Sequence, residues 1–245
     1  MEWSGKPILQ FFGHLEPRHV TKELVREYVQ LRESQRKKPW TIHTELSHLR
    51  STLGQAKEDT TNIVLPTPPP KHDYITKEQA REFLGACTYP HIRLFVYLAC
   101  STGARTQALL DLTWDRVDLD RRLIHLRTAN EAHRKGRAIV PINDQLFTVL
   151  QSAPRVSATA HVIEWAGSRV QSVKKGIKAV ALKVNLPFIT PHVFRHSAAV
   201  WMAEAGISME EISQFLGHSN TDITRKVYAR YSPTYLRKAT EALEL

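Results

Sequence analysis

A chain of 245 residues with a formal net charge of +10 and a pI near 9.7 suits polyanionic partners, either phosphate backbones or anionic membrane surfaces. Its 42% hydrophobic content excludes the disordered class, and its length allows one large domain or two of ordinary size. The longest apolar run, Ile92 to Cys100 with Arg93 inside it, is too short to span a bilayer. Met-Glu-Trp-Ser-Gly-Lys at the start lacks the order of a signal peptide, and Cys87 and Cys100 make no disulfide framework. A basic, cytoplasmic protein with no membrane partner is expected.

Residues 21–33 carry an apolar stripe of Leu24, Val25, Tyr28, Val29 and Leu31. Residues 41–56 carry another, with Ile42, Leu46, Leu49 and Leu53 at helical spacing. Between them Ser34-Gln35-Arg36-Lys37-Lys38-Pro39 reads as a basic turn that Pro39 helps to break. Residues 1–65 therefore predict a small all-α domain of about two helices. Pro66, Pro68, Pro69 and Pro70 favour extended polyproline geometry, so 66–73 reads as a linker.

Residues 74–245 make the second domain. Thr76 with Gln79 three positions on predicts a capping box, and 93–99 a buried helix. Residues 112–119, 123–127 and 138–142 are short β-type runs, suggesting a small antiparallel sheet. Helices are predicted near 144–152, 169–184, 192–205, 208–215 and 221–228, with Pro191, Gly206 and Gly217 as punctuation. The fold class is mainly α with a small antiparallel β-sheet (α+β).

Four segments of this domain hold residues with chemical potential. In Ser101-Thr-Gly-Ala-Arg105 one helix ends at Thr102-Gly103 and another starts with Arg105 in its first turn. An arginine there carries the wrong charge for the helix dipole unless an anion binds both; pairing with Asp111 or Asp115 is the plain alternative. In Thr190-Pro-His192-Val-Phe-Arg195-His196, Pro191 suits a first helical position and puts His192 and Arg195 on one face. Such a pair offers proton transfer beside a phosphoryl-binding fork. A metal site at His192 and His196 lacks the intervening glutamate and a third ligand; a packed histidine beside a surface arginine stays open. His218 follows the helix-ending Gly217, where a mere cap is common. Tyr228 lies among Arg225, Lys226 and Arg230, with Tyr231 and Tyr235 nearby; the cations would favour a phenolate or simply bind phosphate.

Together these segments resemble the tyrosine recombinase (phage integrase) family from about Thr76 to the C-terminus. The family order is Thr-Gly-x-Arg, a lysine in a β-hairpin, His-x-x-Arg, Leu-Gly-His and a tyrosine. Here it is met by Thr102-Gly-Ala-Arg105, Lys135, His192-Val-Phe-Arg195, Leu216-Gly-His218 and Tyr228. The resemblance implies a site-specific DNA recombinase or integrase of mobile DNA. On that resemblance Tyr228 would attack a phosphate to give a 3′-phosphotyrosyl bond, Arg105 and Arg195 would hold the non-bridging oxygens, and His218 would add a hydrogen bond. By the same resemblance His192 would accept the tyrosine proton and Lys135 would protonate the leaving 5′ oxygen. Two guanidinium groups on the phosphate make a metal unnecessary, and no cofactor is implied. The partners implied are double-stranded DNA and a homotetramer on paired sites, in the cytoplasm on the nucleoid. The first domain would help clasp the duplex, with Arg36, Lys37 and Lys38 against DNA or else in solvent.

The chain departs from the family pattern in three places. Ala108 stands where the family often has a carboxylate, with Gln107 before it. The hairpin between Leu126 and Pro141 is long, so counting back from Val140-Pro141 gives Lys135 with Arg134 and Arg137 as neighbours. The first domain is short. A type IB topoisomerase shares this residue set, and an inactive DNA-binding module is the non-enzyme alternative. The apolar spacing of Leu236, Ala239 and Leu243 in the 235–245 tail suggests a helix docking on a neighbouring protomer.

Overall fold

The structure is a computed structural model that describes residues 2–67, 73–126, 138–153, 159–218, 220–233, 236, 237, 240 and 243, with only the backbone at 2–4. Lys135 with its neighbours Arg134 and Arg137, the linker prolines Pro68 to Pro70, and most of the 235–245 tail, Tyr235 and Ala239 included, lie outside the described residues. The chain divides into two units, Met1–His72 and Asp73–Leu245.

The first unit holds α1 (Glu2–Phe12), a 3-10 turn (Pro17–His19), α2 (Lys22–Ser34) and α3 (Pro39–Gln55). Helix α1 is additional to the two expected. Gly5 and Pro7 weaken its pattern, and Pro7 removes one helical hydrogen bond. Packing compensates: Ile8 and Phe12 are buried with Leu46 and Leu49, and the Phe11 ring meets Tyr28 edge-on at 5.3 Å. Thr21 caps α2 by accepting from the Leu24 amide at 3.3 Å. Pro39 is the first residue of α3, where its missing N–H costs nothing, and Arg36 makes the turn at φ +55°. Within this core the Tyr28 hydroxyl and Arg32 Nε each donate to Glu45 Oε2 at 2.9 Å, and Arg32 Nη2 donates to Oε1 at 2.5 Å. His43 Nδ1 donates to the Pro66 carbonyl at 2.7 Å, so the first residue of the expected linker is held against α3.

The second unit begins at α4 (Lys77–Ala86), whose capping box between Thr76 and Gln79 forms as expected. Helix α5 (Pro90–Thr102) leads into the short α6 (Thr106–Leu110), and later come α7 (Asp144–Ser152), α8 (Lys174–Lys183), α9 (Pro191–Glu204), α10 (Met209–Leu216) and α11 (Thr221–Tyr228). Helix α9 is the axis of the unit. It packs along α5, the Phe194 ring meets Phe83 edge-on at 5.3 Å, and residues 193–200 are all buried. Its far side holds the entering chain: Ile75 donates through N–H to Ser197 Oγ at 2.9 Å and accepts from Trp201 Nε1 at 3.0 Å.

The sheet is antiparallel, with strands β1 (Val117–Asp118), β2 (Leu123–His125) and β3 (Ile139–Pro141) side by side in that order. The expected strand over 112–119 is reduced to its end, because Trp114–Arg116 is a 3-10 turn. The start of that segment bonds elsewhere: Trp114 N–H donates to Ala160 O and Val162 N–H to Leu112 O, both at 2.9 Å. A second hairpin, β4 (Glu164–Trp165) and β5 (Ser168–Arg169), occupies the start of the predicted helix 169–184, and α8 begins at Lys174 instead. Ala166 and Gly167, both at positive φ, turn this hairpin, a signal that Ala166 hides in the sequence. No helix among the described residues is long and apolar enough to cross a membrane.

Candidate active site

Pro191 occupies the first position of α9, as its fixed φ favours, and starts the turn that carries His192, Arg195 and His196. Arg195 is 4% exposed. Its guanidinium is fixed by backbone: Nη1 donates to Gly103 O at 2.6 Å and Nη2 to Leu216 O at 3.1 Å. Both carbonyls lie beside helix-ending glycines. Gly103 ends α5 at φ +57°, and a Cβ there would stand 2.6 Å from Leu216 Cδ2. That contact presses the end of α5 on the end of α10 and aims two carbonyls at one guanidinium.

Arg195 Nη2 also lies 2.8 Å from His218 Nε2. A guanidinium only donates, so His218 Nε2 accepts and the ring proton sits on Nδ1, which donates to Thr224 Oγ1 at 2.7 Å. Burial, then the charges of Arg195 and Arg105, push His218 down to about 4, which agrees with a neutral ring. Burial and the charge of Arg105 bring Arg195 itself down to about 10, still protonated at neutral pH. Among the described residues no carboxylate contacts Arg195.

Arg105 is the exposed N-cap of α6 and not part of its first turn. The five residues of α6 make little dipole, so the charge at this point is that of the side chain. Its field reaches Arg195, His192 and His218, lowering the pKa of each. For His192, desolvation is the larger cause, followed by Arg195 and Arg105. Asp111, one of the two plain partners expected for Arg105 beside Asp115, is bonded by Arg169 and by Gln107 Nε2. Ala108 is buried in the core, and the carbonyls of Gly103 and Leu216 orient Arg195 without a carboxylate.

Tyr228 ends α11 and is 7% exposed, packed with Ala199, Val200, Ala203, Ile212 and Leu216. Its hydroxyl lies 3.1 Å from His196 Nδ1, with the rings tilted at 5.1 Å. Burial raises its pKa, and Arg195 is the cation that pulls it back. Two of the cations near Tyr228 are engaged elsewhere: Arg225 pairs with Glu210, and Arg230 lies over the Tyr231 ring at 5.1 Å. Tyr231 packs edge-on against Tyr74 at 5.4 Å.

The structure thus joins Arg105, His192, Arg195, His218 and Tyr228 in one electrostatic neighbourhood, with Lys135 outside the described residues. Arg36, Lys37 and Lys38 are exposed residues of the first unit. Sequence reasoning gave no catalytic part to His196 or Thr224. Thr224 stands four residues before Tyr228 on the same face of α11, a spacing that could have pointed to it. A buried arginine with no carboxylate against it among the described residues, beside a neutral histidine and a phenol, is suited to receive a phosphodiester and to attack it.

The phage integrase family profile matches residues 73–234. Tyrosine recombinase XerA of Thermococcus kodakarensis is 32% identical over 181 residues, covering 70% of this chain and 62% of that protein. The integrase of Salmonella phage P22 is 21% identical, over 83% of this chain and 57% of its own length. The chain therefore spans less than two thirds of these relatives. Among solved structures, the Tn1549 transposon integrase in complex with transposon right end DNA superposes with a TM-score of 0.79 at 18% identity, over 99% of this chain and 91% of that one. A lambda integrase dimer bound to a COC′ core site gives 0.72 at 16% identity, over 94% and 70%. The fold, the order of the motifs and the profile over residues 73–234 agree, and the chain belongs to the phage integrase, or tyrosine recombinase, family.

Proposed function

We propose that this protein is a site-specific DNA recombinase that cuts and rejoins strands through a 3′-phosphotyrosyl bond at Tyr228. The observation that carries the reading is Arg195, a buried cation held by two carbonyls and His218 with no described carboxylate against it. A phosphodiester supplies the missing negative charge. Arg195 and Arg105 bind its non-bridging oxygens, and His192 lies within the field of both. His218 joins them once its Nε2 carries a proton: burial is the first cause of its lowered pKa, and the anion offsets the second, the charges of Arg195 and Arg105. Lys135 protonates the leaving 5′ oxygen. The phosphotyrosyl bond keeps the energy of the broken phosphodiester, so rejoining needs no nucleotide.

Double-stranded DNA is the partner, as the net charge of +10 and the DNA complexes of the two integrases support. Arg36, Lys37 and Lys38 add phosphate contacts from the first unit, which serves as the core-binding domain. Exchange between paired sites is the work of a homotetramer, with the 235–245 tail docking on the adjacent protomer.

The test is covalent capture on a pool of nicked duplexes with randomised sequence around the nick. The wild-type chain should form a protein–DNA adduct, and Tyr228→Phe should form none while binding the pool with nearly unchanged affinity. Binding without capture by the wild type would make the protein an inactive DNA-binding module. An adduct from Tyr228→Phe would move the nucleophile to Tyr231.

A further inference from the structure

The family resemblance gives the tyrosine's proton to His192, yet the hydrogen bond at the hydroxyl belongs to another histidine. His196 Nδ1 lies 3.1 Å from Tyr228 Oη, with both side chains buried. We propose that His196 is a catalytic residue, the group that accepts the phenolic proton of Tyr228 as the oxygen attacks DNA. This rests on the recombinase reading above and assigns one of its steps.

The position of His196 follows from the helix. Successive side chains on α9 are turned by about 100°. Arg195 therefore reaches Gly103, Leu216 and His218, while its neighbour reaches Tyr228 on α11. One turn of one helix sets the phosphate-binding cation and the proton acceptor in fixed relation. The phenol needs such a partner, because burial raises its pKa and opposes spontaneous ionisation. His218 cannot serve: in the free protein its Nε2 lone pair is taken by Arg195 and its Nδ1 proton by Thr224, and with DNA bound Nε2 already carries a proton.

In the step itself the His196 ring starts neutral with its proton on Nε2, so Nδ1 accepts from Tyr228 Oη–H. The O–H bond breaks and the proton passes to Nδ1. The freed electron pair forms the Oη–P bond, and the P–O5′ bond breaks. Its electrons stay on the 5′ oxygen, which takes a proton from Lys135. No electrons are gained or lost. In the reverse direction the imidazolium returns the proton to the departing tyrosine.

His196→Asn separates this role from mere positioning. Its amide can still hydrogen-bond the hydroxyl but holds no proton at neutral pH. Single-turnover adduct formation is measured on nicked duplexes recovered from the wild-type capture. His196→Asn should slow it about a hundredfold or more. Placing 3,5-difluorotyrosine at position 228, a more acidic phenol, should restore at least tenfold of that loss, whereas the defect of His192→Asn should not respond. A wild-type rate in His196→Asn, a defect that difluorotyrosine leaves untouched, or relief of His192→Asn instead would each overturn the assignment. His196→Gln is carried alongside, and failure of both variants to fold would show a structural role and overturn it too. Absence of any wild-type adduct would remove the recombinase reading itself, which distinguishes the two failures.

Discussion

Arg32 in the first unit and Arg195 in the second are both buried arginines, 8% and 4% exposed, and their charges are met in opposite ways. Arg32 grips both oxygens of Glu45, with Tyr28 as a third member, so the cluster is neutral and closed. Glu45 raises the pKa of Arg32, whereas burial and Arg105 lower that of Arg195. Two carbonyls and the His218 ring accept hydrogen bonds from Arg195 but bring only partial charge. A buried ion without its counter-ion is costly in a resting protein and is justified where an anionic substrate arrives. Under the proposed function the same side chain is a fastener between α2 and α3 in one unit and a phosphate receptor in the other.

The largest effect should come from opening the closed cluster. Glu45→Ala leaves Arg32 buried and unpaired, and should destabilise the first unit by about 3–5 kcal/mol in urea unfolding. Adduct formation per folded molecule should not change. A loss below about 1 kcal/mol would mean that Arg32 already draws its compensation from solvent, and the contrast would fail. The joint replacement Tyr28→Phe, Arg32→Met, Glu45→Leu sharpens the point, because a whole triad can be exchanged for apolar packing at little cost.

Opening the receptor should cost catalysis instead. Arg195→Gln should slow adduct formation by about 10²–10³-fold, as loss of one preorganised donor to transition-state charge does. Its thermal stability should change little, since the variant also removes a buried cation that faces Arg105. A large loss of stability with modest loss of rate would make Arg195 a second fastener.

A smaller effect separates the two units by pH. The folded pKa of His218, about 4, lies below its ordinary 6.5. The unfolded chain therefore binds more protons than the folded one between these values. Stability from this residue is complete above about pH 6.5 and is lost as pH falls toward 4. His192, also lowered, adds in the same direction. Comparing pH 7 with pH 4.5 by thermal unfolding, His218→Asn should lose less than wild type, by on the order of 1 kcal/mol given its partial exposure. Equal losses would show that His218 is not neutral in the resting site.

The second unit was the more legible of the two in sequence, and the reason is physical. Thr102-Gly103, Pro191 and Gly217 punctuate the chain beside the functional residues, because the site is built from helix ends and helix ends need special backbone. Where packing overrode propensity the reading failed. Helix α1 keeps Gly5 and Pro7 because Ile8 and Phe12 are buried, and residues 112–114 bond to 160–162 instead of extending β1. The partner of Tyr228 was hidden for another reason. His196 stands 32 positions away, next to a residue already assigned, and only the packing of α11 near α9 shows that the two meet.

The smallest effect bears on whether the first unit touches DNA at all. Arg36, Lys37 and Lys38 are exposed on the turn between α2 and α3, with Arg36 forced to positive φ. Neighbouring contacts on this turn tie it to Arg32: Arg32 Nη1 bonds Gln35, and Lys37 N–H donates to Arg32 O at 3.0 Å. The closed cluster thereby holds the basic turn in a set shape, the kind of preorganisation that a phosphate contact rewards. If Lys37 and Lys38 each neutralise a phosphate, replacing both with alanine should reduce the slope of log K against log salt by about 1.8, since each contact contributes about 0.9. Affinity at moderate salt should fall only modestly, and the rate of adduct formation at saturating DNA should stay constant. Arg195→Gln should show the reverse pattern, a small change of slope with a large loss of rate. An unchanged slope in the double lysine variant would take this turn out of the interface and leave Arg32 as a fastener of the fold alone.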